Sequence, residues 1–176
     1  MTEDKVEQEA LKILAEQGWE ILNGPEIGPD GTGERDYIKV FLDERLTKAI
    51  KKLNPKLRPQ DFDMVRTLLT RSTTPTLLSD NYAFHEMLVN GLDVEYRDRN
   101  GEIRTEKVWL FDFEHPENNE FVAVNQLTVM QGDFHRRPDV VLFVNGLPLG
   151  VIEIKDRTDE KADLKKAYNQ LQTYKQ

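Results

Sequence analysis

The sequence predicts a mixed α/β domain in which a central β-sheet is flanked by helices. Three observations carry that expectation. Residues 140–144 and 149–154 are apolar on both faces, as central strands covered by helices require. Residues 3–17 and about 160–175 each place apolar side chains on one helical stripe. Asn100-Gly101 and Asn145-Gly146 lie between strand-like segments and mark hairpin turns, whose central residues need positive φ.

In the first helix Val6, Ala10, Ile13, Leu14 and Gln17 share the stripe, with Thr2 at the N-cap position and Gly18 at the stop. Glu3 and Asp4 suit the positive end of the helix dipole. Residues 19–22 read as a short strand. Residues 23–33 hold four glycines and two prolines and read as a loop. Segment 36–42 reads as extended, and 43–53 as a helix ended by Asn54-Pro55. Helices are expected at about 61–71 and about 80–90, the second closed by Asn90-Gly91. From Leu92 the chain turns to strands, at 94–98, 103–113 and 121–130, and Phe111 and Phe113 alternate as core aromatics. The last helix sets Leu164, Ala167, Tyr168, Leu171 and Tyr174 on a stripe expected to be buried. No repeat, low-complexity tract or linker interrupts the sequence, so residues 1–176 are expected to form a single domain.

Composition excludes several classes. There are no cysteines, hence no disulfides and no thiolate zinc site, and the three histidines are not at metal-ligand spacing. No apolar run approaches the length of a membrane span, and Met1 is followed by Thr-Glu-Asp-Lys rather than a basic then apolar leader, so no membrane partner is expected. The net charge of -8 opposes long-range attraction to DNA, although Lys48, Lys51, Lys52, Lys56 and Arg58 form one basic stretch and Arg136-Arg137 another.

The chemistry concentrates in the second hairpin. Asp139 stands at the outer end of its first strand, and Glu153 and Lys155 near the end of its second. Carboxylates in such apolar runs require compensation, since a buried unpaired charge is costly. Two carboxylates on neighbouring strands suit a hard divalent cation such as Mg2+. Lys155, two residues past Glu153, takes the same face. Parity provides a test. A strict two-residue turn at Asn145-Gly146 would pair Asp139 with Ile152 and send Glu153 to the opposite face. A shared cation therefore requires a three-residue loop or a β-bulge that brings Asp139 opposite Glu153.

Pro138-Asp139, thirteen intervening residues and Glu153-Ile154-Lys155 resemble the PD-(D/E)xK nuclease motif. The wider context, RRPDVVLFVNGLPLGVIEIK followed by NQLQTYK, resembles the N-terminal nuclease domain of the R subunit of type I restriction enzymes. VEQEALKILAEQGWEI, DERLTKAIKKLNP, NGLDVEY and FDFEHPENNEFVAVNQLTV extend the resemblance over most of the chain. It implies a restriction-endonuclease-like mixed sheet, left incomplete where the chain stops at Gln176. It also implies Mg2+-dependent hydrolysis of double-stranded DNA, with Asp139, Glu153 and the backbone carbonyl of Ile154 as metal ligands and Lys155 as the third catalytic group. Glu7 matches an acidic residue that approaches the metal in such nucleases. Gln170 and Tyr174, four apart on one helix face, match a Q-x-x-x-Y motif that supports the site or the DNA. Arg137 is a candidate phosphate contact, with a salt bridge to an acidic neighbour as the competing reading.

In the resembling enzymes the R subunit works with modification and specificity subunits in the bacterial or archaeal cytoplasm, and cleavage follows ATP-driven translocation. The chain holds no G-x-x-x-x-G-K-[ST] loop, so ATP is expected to serve motor domains outside it. Two other readings stand beside this one: a stand-alone RecB-like nuclease, and a non-catalytic module that docks the methyltransferase core. Only a nuclease needs Asp139, Glu153 and Lys155 to converge.

Overall fold

The computed structural model describes residues 2–71, 74, 76–97, 100–155 and 164–173. Contacts divide the chain into two units, residues 1–44 with 121–176, and residues 45–120. The mixed α/β class expected from the sequence is the class found.

The first unit begins with α1 (Glu3–Glu16), β1 (Glu20–Asn23) and α2 (Gly24–Ile27), and α3 (Asp43–Leu53) starts at its margin. It resumes with β4 (Phe121–Asn125), β5 (Val129–Gln131), β6 (Phe134–Arg136), β7 (Val140–Val144), β8 (Leu147–Ile152) and α6 (Leu164–Thr173), numbered after β2 and β3 of the second unit. Thr2 caps α1 through its backbone carbonyl, which accepts from Lys5 and Val6, and its side chain makes no cap bond. Gly18 closes the helix at φ 90°, a conformation that glycine adopts without Cβ strain.

The central sheet has the order β1-β4-β7-β8, with β1 parallel to β4 and the other pairs antiparallel. Its inner strands bury both faces. Ala123 and Val140 pack with Leu11 of α1, joined by Leu14, Trp19, Ile21, Leu142 and Ile152. Val122, Val124, Val141 and Phe143 pack on the other side with Ile27, Leu42 and Leu127. The double-sided apolar run at 140–144 records this burial. Each such buried side chain contributes roughly 1.5–3 kcal/mol when fully removed from water. The run at 149–154, expected to form a central strand, lies largely on β8 at the end of the strand order. There Leu149 is 45% and Val151 42% exposed, because among the described residues no second layer covers that face.

The second unit holds the rest of α3, then α4 (Phe62–Thr70), α5 (Leu77–Asn90) and the antiparallel pair β2 (Leu92–Arg97) and β3 (Ile103–Val108). Asn54, placed where the sequence ends α3, is 9% exposed and does more than stop the helix. Its Nδ2 donates to the carbonyls of Ile50 (2.9 Å) and Trp109 (2.8 Å), and its Oδ1 accepts from the Trp109 N–H (2.8 Å). Asn54→Ala would orphan buried backbone groups at both ends, and is expected to destabilise this unit by about 2–3 kcal/mol. Urea unfolding of the full chain checks this, and a change below about 0.5 kcal/mol would contradict it.

Several segments differ from their expected form. Residues 36–42 turn rather than extend, because the Lys39 N–H bonds back to the Asp36 carbonyl (3.1 Å) and the Asp36 side chain accepts from Ile38. The loop at 23–33 contains the single turn of α2. The third expected strand stops at Val108, so Phe111 is buried but Phe113 is 62% exposed. The expected strand 121–130 breaks at Gln126, whose φ is 52°. Residues 129–136 then form a separate two-stranded hairpin, β5–β6, turned at Gly132-Asp133. On α6 the expected stripe is not buried: Leu164 is 90% and Tyr168 60% exposed, while Ala167 and Leu171 are intermediate. A helical stripe reports which side chains could be covered together, and burial depends on a packing partner.

The basic stretch around α3 is largely committed within its own unit. Lys52 donates to the Asn118 carbonyl (2.7 Å), Lys51 lies over the Phe62 ring, and Arg58 is bidentate to Asp61 and stacks on Tyr96. Asp112 organises the turn that follows β3, and its carboxyl is held below the usual range, chiefly by the Asn118 amide and then by the His115 N–H.

Candidate active site

The hairpin β7–β8 turns on Asn145 and Gly146, both at positive φ (52° and 80°), the combination of a type I′ turn. Pairing starts as such a turn dictates, with Val144 opposite Leu147 and Phe143 opposite Pro148. The register then shifts. Leu142 faces Gly150, Val141 faces Val151 and Val140 faces Ile152, leaving Leu149 as the extra residue of a β-bulge. Pro148 and Gly150 suit this place, since a proline has no N–H for the ladder and a bulge relaxes the pairing around it. One step past the last pair, the shifted register brings Asp139 opposite Glu153. The parity test set by the sequence is met by the bulge.

Side-chain contacts agree with that register. Asp139 Oδ2 accepts the Ile154 N–H at 2.7 Å, tying the end of one strand to the ExK segment of the other. The Glu153 side chain is 1% exposed, and Lys155 Nζ lies 3.8 Å from its Oε2. Lys155, 28% exposed, therefore lies beside Glu153 as strand alternation requires. Ile154 between them is buried. Asp139 and the Glu153–Lys155 segment thus meet at one end of the hairpin.

The remaining candidates are placed as follows. Glu7 projects from α1, is 9% exposed, and accepts the Asn125 Nδ2 (2.8 Å) and Gln126 Nε2 (2.7 Å), one on each oxygen. The Gln126 N–H in turn donates to the Asp139 carbonyl at 2.9 Å. Arg137 is exposed beside the buried Pro138. Gln170 is half-buried on α6, and its carbonyl accepts the Thr173 hydroxyl. Tyr174 lies outside the described residues. Among the described residues, no three or more His, Cys, Asp or Glu side chains are grouped to hold a metal ion.

The available donors nevertheless fit Mg2+. Both Asp139 and Glu153 offer hard carboxylate oxygens across one strand pair, and this ion is typically held by one or two carboxylates with water and substrate phosphates completing its shell. The Asp139–Ile154 bond occupies one carboxylate oxygen and fixes the direction of the other.

Three polar residues of this region escape a reading of the sequence. Asn125 and Gln126 end an apolar strand, a signal that polar residues there have partners, but nothing local names Glu7 as that partner. Arg35 is 2% exposed and donates to the carbonyls of Thr128 (2.7 Å) and Tyr37 (3.4 Å). Burial lowers its pKa from the ordinary guanidinium value, with Asp36 opposing. It clips the segment after α2 to the turn that follows β4. A cleft of about 700 Å³ opens beside Pro138 between Val141, Val151 and Phe134, yet among the described residues Asp139, Glu153 and Lys155 are not in its lining. The candidate residues sit at the strand ends rather than in this cleft. Among the described residues, no helix is long and apolar enough to cross a membrane.

Comparison with known proteins follows the same line. A family model described as the type I restriction enzyme R protein N terminus matches residues 1–176. The type I restriction enzyme HindI endonuclease subunit of Haemophilus influenzae is 42% identical over 178 residues, covering 99% of this chain and 17% of that protein. A Methanocaldococcus jannaschii protein, provisionally named type I restriction enzyme MjaIXP endonuclease subunit, is 34% identical, over 96% of this chain and 16% of its own length.

Proposed function

Because this chain belongs to the family of type I restriction enzyme R protein N termini, we propose that it is the DNA endonuclease domain of such an enzyme, hydrolysing phosphodiester bonds with Mg2+. The observation that carries the proposal is the bulged hairpin, which sets Asp139 opposite Glu153 with Lys155 Nζ 3.8 Å from Glu153. A docking module has no use for that convergence.

Asp139, Glu153 and the Ile154 carbonyl would hold Mg2+, which when bound polarises a phosphoryl oxygen and acidifies a coordinated water. Lys155 places an ammonium beside the reacting phosphate, where it stabilises the charge that builds on the phosphoryl oxygens in the transition state. Glu153, nearly shielded from water, keeps that ammonium aligned. Asp139 is held by the Ile154 N–H, so its aim is set before substrate arrives. Gln170 and Tyr174 support the site or the DNA, and Arg137 contacts the DNA phosphate. Crystals soaked in Mn2+ test the metal assignment, with an anomalous peak between Asp139 and Glu153 as the expected result. A peak elsewhere, with none there, would overturn it.

The relatives are longer than this chain, which spans 17% and 16% of the two described. We assign sequence recognition, ATP-driven translocation and assembly with modification and specificity subunits to the whole enzyme, in the cytoplasm. The domain itself is expected to grip DNA weakly. Its net charge is -8, and Lys52 and Arg58 are engaged with protein groups. Fluorescence anisotropy with a labelled duplex at about 0.15 M salt should give a Kd no tighter than about 1 μM. Tight binding that resists added salt would contradict this reading of the surface.

A further inference from the structure

Gln126 sits where three strand and helix ends meet, and the mechanism above does not use it. Its main-chain N–H donates to the Asp139 carbonyl (2.9 Å), and its Nε2 donates to Glu7 Oε2 (2.7 Å). Asn125 Nδ2 donates to the other Glu7 oxygen (2.8 Å), and Asn125 Oδ1 accepts from Asn23 Nδ2 (3.4 Å). The Gln126 backbone is left-handed, with φ 52°. Gly24 approaches it so closely that a Cβ there would lie 2.5 Å from the Gln126 carbonyl oxygen. A non-glycine residue in that conformation carries strain, and persists where its surroundings over-determine it.

The amide orientations follow from chemistry, because a carboxylate oxygen accepts and only the NH2 end of Asn or Gln can donate to it. Glu7 therefore spends one hydrogen bond of each oxygen on the turn after β4, which offsets the cost of burying it. Among the described residues it does not join Asp139 and Glu153 in a group of three acids. We infer that Glu7 is a positioning residue rather than a metal ligand: it acts through Gln126, whose N–H fixes the main chain at Asp139 and so the aim of the Asp139 carboxylate. The inference rests on the nuclease reading of Asp139 for its catalytic consequence, but the clamp itself does not.

An exchange of the two side chains tests it in the whole restriction enzyme. Gln126→Glu sets a second carboxylate against Glu7 and should lower the melting temperature measured in EDTA. It should also cut DNA cleavage by about 10–100-fold, the usual effect of disturbing a group that orients a site. The double variant E7Q/Q126E rebuilds both bonds: the new amide at position 7 offers its oxygen to Asn125 and its NH2 to the new carboxylate at position 126. Recovery of both melting temperature and cleavage is expected. Restored melting with cleavage still at the Q126E level would overturn the inference, because the acid would then be needed at position 7 itself. Failure to restore the melting temperature would overturn the clamp. An enzyme carrying D139N that still cuts would instead overturn the nuclease reading, and the EDTA melting comparison would still decide on the clamp.

Discussion

Asp139→Asn is expected to reduce DNA cleavage by the whole enzyme about 10³-fold or more, while leaving the domain folded. The two consequences separate because Asp139 has two jobs in the proposed site. Its Oδ2 accepts the Ile154 N–H at 2.7 Å, and an asparagine carbonyl can accept the same bond. The negative charge needed to hold a divalent cation cannot be replaced in that way. Asp139→Ala removes both, leaving a half-buried N–H without an acceptor, and should cost about 1–2 kcal/mol of stability in addition. Plasmid cleavage at saturating Mg2+ with parallel denaturant unfolding reads both effects. Cleavage by D139N within tenfold of the parent would remove Asp139 from the site, with tenfold corresponding to about 1.4 kcal/mol of barrier.

Lys155→Ala should lower cleavage by about 10²-fold or more, as expected for loss of a cation that stabilises transition-state charge. Lys155→Arg is not expected to restore it, because a planar guanidinium cannot replace a compact ammonium 3.8 Å from Glu153. The alanine variant also deprives a carboxylate that is 1% exposed of its neighbouring cation. Lys155 is itself 28% exposed, so solvent screening limits that loss to on the order of 1 kcal/mol. Adding Glu153→Gln should recover the stability without the activity. Recovery of cleavage in that double variant would show that Lys155 serves only to neutralise Glu153.

The hairpin that carries Asp139, Glu153 and Lys155 was legible in the sequence because its determinants are local. Asn145-Gly146 supplies the two positive φ values, and the apolar run before it specifies a strand, β7, buried on both faces. The need for a bulge followed from counting residues between Asp139 and Glu153, since one residue more or less moves a carboxylate to the other face. Its position at Leu149 did not follow, because pairing against Leu142 and Phe143 decides where the extra residue is absorbed. The same limit explains the strand at 121–130. Its composition is β-rich throughout, yet Gln126 turns it, held by Glu7 from 119 positions away in sequence.

Fold class, the main helices and the hairpin that carries Asp139, Glu153 and Lys155 were determined by the sequence itself, through periodicity and turn chemistry that act over a few residues. Tertiary structure alone decided which polar groups are paid for by distant partners: Glu7 by Asn125 and Gln126, Arg35 by the carbonyls of Thr128 and Tyr37. It also decided that Leu164 and Tyr168 of α6 stay exposed. The reason is physical. A backbone conformation is biased by its neighbours in the chain, whereas burial and hydrogen-bond satisfaction depend on groups that meet only when the chain has folded.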